Sequence, residues 1–199
     1  MTVRIATNTA KIARPKKKLR TGLYFLKDQA DHQTTRPLAI GELVKEANQI
    51  LASAGIEILP VSYAYQLIKE DLGKKIDFAS SDRVGGAKRG NHYYQLLYDI
   101  REKNQEPFSV FFAWDFESPQ PGLIAAAFTW RKDRKTICVM RDDIPKPGRI
   151  LAHEAGHALS IDFNTEDATQ LMHEYDMPGT GILIPSDQAE TMRASPLLE

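Results

Sequence analysis

The run His153-Glu154-Ala155-Gly156-His157 constrains this chain more than any other feature, because its two imidazoles stand four residues apart. On an α-helix each residue turns by roughly 100°, so such a pair lies about 40° apart on one face and about one turn apart in height. Two imidazoles so placed chelate a single ion. Glu154 stands three residues before His157, close enough to that face to lean toward a water on the ion without ligating it. That division suits hydrolysis, since zinc lowers the pKa of bound water to about 7 and a carboxylate can take its proton. The surrounding sequence supports a helix over 149–160: Ile150, Leu151, Ala155, Ala158 and Leu159 supply a core-facing side, and Pro145 and Pro147 sit at the entry, where proline does no damage. Gly156 costs about 1 kcal/mol relative to alanine in mid-helix, which points to a functional reason for it, and keeping the metal face uncluttered is the expected one.

The chain has 199 residues, 42% of them hydrophobic, enough for one compact domain with a sizeable core. Lysine plus arginine equals aspartate plus glutamate at 26 each, so no long-range field selects nucleic acid or a membrane surface, and neither is expected as a partner. The one strong charge block, Arg14-Pro15-Lys16-Lys17-Lys18-Leu19-Arg20, is read as a solvated arm over residues 1–18, with a single catalytic domain over 19–199. Cys138 is the only cysteine, so no intrachain disulfide can form. No apolar stretch reaches about 18 residues, which argues against a membrane span. The beginning of the chain lacks an apolar signal region, so the sequence leaves the compartment open between cytoplasm, non-classical export and secretion after removal of a signal.

Along the chain, Leu19–Leu26 reads as a strand closed by the polar loop Lys27–Pro37, and Leu43, Ala47, Ile50, Leu51 and Ala54 recur at helical spacing over about 40–54, with Gly55 at the expected C-cap. Ile56–Val61 is a second strand. Residues 63–106 are punctuated by Gly73, Gly85, Gly86 and Gly90 and read as a long insertion with one or two helices. Phe108–Trp114, Gly122–Phe128 and Lys135–Met140 are three further strands, the last two forming a hairpin-like pair across Trp130 to Arg134. An irregular stretch then precedes a terminal helix capped by Ser186, with Met192 on its apolar side.

This order of elements resembles that of the metzincin peptidases. The resemblance is carried by Glu46–Ile56 in the first helix, Thr136–Asp142 before the metal helix, His153–Leu159, Gln170-Leu171-Met172 and Gln188–Leu197. It implies an α+β fold: a mixed, mostly parallel twisted sheet with an antiparallel edge strand, packed on two long helices. A small C-terminal subdomain would hold a methionine turn at Met172 and the terminal helix, with a cleft between about 19–159 and 160–199. It implies a monomeric zinc endopeptidase with Glu154 as general base and a peptide or protein as substrate. Substrate would lie extended along the edge strand at Gly122, Leu123, Ile124 and Ala125, and Leu183 and Ile184 would lend an apolar wall.

The pattern departs from that family after His157. The family glycine is replaced by Ser160, and the third ligand position is occupied by Phe163, which cannot bind zinc. Asp162, one residue early, offers an oxygen donor that zinc accepts at about 2.0–2.2 Å, and a turn tightened by one residue would deliver it. His173, directly after Met172, is the rival. Glu166 and Glu174 are further candidates if 164–175 forms a second helix, and Tyr175 stands one position later than the oxyanion-binding tyrosine of some family members. Two other functions stay open from the sequence: a zinc-retaining binding module that does not cleave, and a zinc amidase acting on cell-wall peptides.

Overall fold

The structure is a computed structural model and describes residues 15–78, 83–84, 87–88, 92–117, 126–132, 135–162, 164–173 and 181–199. The chain runs through β1 (Lys17–Asp28), α1 (Ile40–Leu51), β2 (Ile56–Ile68), the short β3 (Ile76–Asp77), β4 (Arg83–Val84) and β5 (Ala87–Lys88), then α2 (His92–Asn104), β6 (Phe108–Ala113), β7 (Phe116–Glu117), β8 (Ala127–Lys132), β9 (Lys135–Arg141), α3 (Pro147–Ala158) and α4 (Ser186–Ala194). Five strands form the main sheet in the order β2-β1-β6-β9-β8. The pairs β1–β2, β1–β6 and β6–β9 are parallel and β8–β9 is antiparallel, so the sheet is mixed, mostly parallel, with an antiparallel edge.

Alternation of side chains along each strand divides the core into two layers. On one face Leu23, Phe25, Val110, Phe112, Cys138 and Met140 pack under α1 and α3 through Leu43, Leu51, Ile150, Leu151 and Ala155. On the other, Tyr24, Phe111, Ile137 and Val139 meet Leu97 and Tyr98 of α2, together with Leu72, Ile76, Phe78 and Phe116. Every residue of β6 is buried, which explains its unbroken apolar run: a central parallel strand has no solvent face.

Several boundaries differ from the sequence expectation, each for a physical reason. β2 continues to Ile68, so residues 63–68 are strand and not the start of an insertion. The register slips between Thr21 and Gly22, leaving Val61 as the extra residue of a bulge directly after Pro60. β2 is an edge strand, where a proline without an N–H can be tolerated. β8 extends through Lys132, pairing Trp130, Arg131 and Lys132 with Ile137, Thr136 and Lys135, so the connection across Trp130–Arg134 shrinks to positions 133–134, outside the described residues. The second helix considered for 164–175 is not formed over 164–173. There Asp167 accepts hydrogen bonds from the Thr169 backbone (2.9 Å), the Thr169 hydroxyl (2.7 Å) and Gln170 (3.0 Å), local bonds that compete with helix formation. Ser186 is the first residue of α4 and not its cap; Pro185 holds the cap position and no side chain caps the helix. Among the described residues no helix is long and apolar enough to cross a membrane.

Candidate metal centre

α3 starts at Pro147, whose missing N–H is harmless in a first turn, and ends in a hydrogen-bonded C-terminal motif that builds half of the site. Ser160 adopts φ +84°, its N–H donates to the His157 carbonyl (3.2 Å), and the Ile161 N–H donates to the Gly156 carbonyl (3.0 Å). Those two bonds with a left-handed residue between them make a Schellman motif, which prefers glycine at that place. Ser160 therefore takes the left-handed backbone that glycine ordinarily supplies at this place. The motif also turns the Ile161 carbonyl back onto the helix, where His157 Nδ1 donates to it at 2.6 Å.

His153 is fixed in the same manner, its Nδ1 donating to the Leu171 carbonyl at 2.8 Å. A carbonyl only accepts, so in both rings Nδ1 is the donor, and the neutral form of each ring leaves on Nε2 the lone pair that a metal needs. The rings stand with centroids 4.8 Å apart and planes at 84°. Burial, with a smaller contribution from the neighbouring His157, pushes the His153 pKa down to about 4, so the imidazole is neutral at pH 7. A neutral imidazole is the ligating form.

Between them Glu154 is buried, and among the described residues its Oε2 has no hydrogen-bond partner. Burial raises its pKa above the ordinary carboxylate value, against opposing contributions from His157 and the Thr129 hydroxyl. Thr129 belongs to β8, and its Oγ1 also lies 3.5 Å from the Glu154 carbonyl, so the edge strand passes directly beside this part of α3. A solvent-starved carboxylate with an open oxygen, beside two imidazoles whose Nδ1 atoms are already engaged, fits a divalent ion and a polarised water, and zinc is the ion suited to this nitrogen donor set.

Gly156 has a reason other than the expected one. A Cβ there would collide with the Met172 thioether, so glycine makes room for that side chain. Met172 itself is buried.

The structure separates the remaining candidates. Asp162 is 70% exposed and ion-paired with Arg131 of β8. His173 is half-buried, with Nδ1 donating to the Thr165 carbonyl at 2.9 Å. Glu166 is exposed on the irregular segment. Phe163, Glu174, Tyr175 and the stretch Gly122, Leu123, Ile124 and Ala125 lie outside the described residues. Leu183 is exposed and Ile184 buried. Among the described residues, no group of three ligand atoms lying mutually within 4.8 Å contains His153 or His157.

A group that does converge within 4.8 Å, Asp28, His32 and Asp71, was not anticipated from the sequence. Its chemistry is structural. Asp28 accepts from the Ala30 and His32 backbone on Oδ1, and from His32 Nδ1 and the Leu72 backbone on Oδ2, which staples two loops to the end of β1. Burial opposes ionisation of Asp28, but the bonds from His32 and Leu72 outweigh it and hold the pKa below the usual carboxylate value. The only signal in the sequence was an aspartate closing a strand before a polar loop.

No known protein-family model and no curated protein sequence matches the chain. Solved structures do. The crystal structure of archaemetzincin from Methanopyrus kandleri aligns with a TM-score of 0.56 over 88% of this chain and 94% of that one, at 11% identity. A zinc-dependent peptidase from Methanocorpusculum labreanum aligns with a TM-score of 0.41 over 86% of this chain and 92% of that one, at 10% identity. The fold is therefore archaemetzincin-like, in agreement with the resemblance noted in the sequence.

Proposed function

We propose that this chain is a zinc-dependent peptidase whose metal is held by His153 and His157 and whose general base is Glu154. The observation that carries this is the pair of imidazoles locked through Nδ1 onto the Leu171 and Ile161 carbonyls, with the buried carboxylate of Glu154, one oxygen without a partner among the described residues, on the same helix. The archaemetzincin-like fold supports it. Zinc bound there would polarise the scissile carbonyl and make water acidic enough to deprotonate near neutral pH. Glu154 would take that proton and return it to the leaving amine.

β8 is an outer strand of the sheet and runs beside Glu154, so an extended peptide adding to its free edge would present its backbone to the general base. Gly122, Leu123, Ile124 and Ala125 would continue that platform, in a cleft between 19–159 and 160–199. Asp162 or His173 would supply the third ligand. Asp162→Asn and His173→Gln are compared in zinc affinity against a competing chelator; the variant that loses about 100-fold identifies the ligand.

Glu154→Gln tests the reading: it retains stoichiometric zinc while cleavage falls by about 10²- to 10⁴-fold. Cleavage at the wild-type rate by this variant would refute the role. A second reading, a domain that retains zinc and binds a partner without cleaving it, draws support from the ion pair that occupies Asp162. Stoichiometric zinc with no turnover across a broad peptide library would favour it over the enzyme.

A further inference from the structure

Arg149 is a charged side chain set inside the core, 1% exposed, one turn of α3 before His153. Its Nε donates to the Gly181 carbonyl at 2.8 Å and its Nη2 to the Leu171 carbonyl at 3.1 Å. The Leu171 carbonyl is the same atom that receives His153 Nδ1 at 2.8 Å, and a carbonyl oxygen has two lone pairs with which to serve both. Leu171 and Gly181 also flank residues 172–180, the segment that begins with Met172, packed against Gly156, and continues to His173. Backbone bonds tie these flanks together, Leu171 N–H to the Leu183 carbonyl (2.8 Å) and Leu183 N–H to the Thr169 carbonyl (3.1 Å). At Gly181 the strands approach so closely that a Cβ would meet the Ala168 and Gln170 carbonyls.

An aliphatic side chain could fill this core position without the several kcal/mol it takes to desolvate a cation. What a guanidinium adds is a planar fork whose donors hold two acceptors at a fixed separation. We propose that Arg149 is a positioning residue of the metal centre: its fork sets the Leu171 carbonyl, and through that carbonyl it fixes the direction in which His153 presents Nε2. The inference rests on the zinc reading given above.

The test uses the whole chain stripped of metal, with zinc affinity measured against a chromophoric chelator and the visible spectrum of the cobalt(II)-loaded protein as a second readout. Arg149→Met weakens zinc binding by about 10- to 100-fold, the range found when a partner of a ligating histidine is lost, and shifts the cobalt bands. Arg149→Lys keeps the charge but not the fork, and falls between Arg149→Met and wild type in both readouts. Val110→Ala, a cavity in central β6, lowers the melting temperature yet leaves zinc affinity and the cobalt spectrum unchanged, which separates positioning from loss of stability. Wild-type affinity (within about twofold) with an unshifted spectrum in Arg149→Met overturns the proposal; if that variant does not fold, the same result in Arg149→Lys overturns it. Wild-type protein that takes up neither zinc nor cobalt overturns the metal reading, and this inference with it.

Discussion

At the scale of single residues, α3 shows why a motif can be legible while the reasons for its members are not. The spacing of His153 and His157 follows from helical geometry, but the need for Gly156 comes from Met172, a contact that only the folded chain makes. Gly156→Ala gains about 1 kcal/mol of helix propensity but meets the thioether, and overpacking of this kind costs about 1–3 kcal/mol, so the variant is expected to be less stable. In a Met172→Ala background the collision is gone, and the same substitution should stabilise. Urea unfolding of the four zinc-free proteins checks that reversal of sign. Ser160 offers a second case, since its φ of +84° is strained for any residue with a Cβ. Ser160→Gly should leave stability unchanged or raise it by up to about 1 kcal/mol, whereas Ser160→Val, β-branched in a left-handed turn, should lower it by about 1–2 kcal/mol.

At the scale of elements, those whose signals were local were readable: α1 from its apolar repeat and the Gly55 stop, β6 from its continuous apolar run, α3 from its core stripe. Gly55 does take the left-handed conformation, at φ +68°. The extension of β2 beyond Val61 was hidden because Tyr63, Tyr65 and Leu67 point one way but are exposed at 60%, 69% and 60%, so no buried face announced the strand. The irregular course of 164–173, against the helix that glutamate ligation would have required, follows from Asp167 spending its oxygens on Thr169 and Gln170, pairings that helical spacing alone does not reveal. α4 is held by a device equally silent in the sequence. Arg193 Nη1 donates to the Gly55 carbonyl (2.9 Å) and the Ala54 carbonyl (3.3 Å) where α1 passes into β2, and Lys17 Nζ donates to the Arg193 carbonyl (2.8 Å). Arg193→Ala should cost about 1–2 kcal/mol, with most of the added hydrogen exchange appearing in α4.

At the scale of the whole molecule, the buried site couples protonation to stability. The unfolded chain protonates His153 near the ordinary histidine value of about 6.5, while the folded protein resists until about 4. Between those values the unfolded state binds more protons, so this residue lowers stability as pH falls from about 6.5 to about 4, by about 2–3 kcal/mol. Glu154 acts in the opposite sense: its raised pKa gives a contribution present below the unfolded value and lost as pH rises. The stability difference between metal-free wild type and His153→Asn isolates the histidine, and should shift against wild type between pH 7 and pH 4.5. The residues near each chain end in the described sheet add a constraint of another kind. Lys18 and Glu199 exchange both backbone hydrogen bonds at 3.0 Å, and Leu19 bridges Leu198, on the strand that also pairs with β2 and β6. While the protein is being synthesised, β1 can find β2 and β6 early, but its opening residues stay without this pairing until positions 198 and 199 have left the ribosome. A nascent chain thus carries an unfinished sheet margin until those two residues are free to pair.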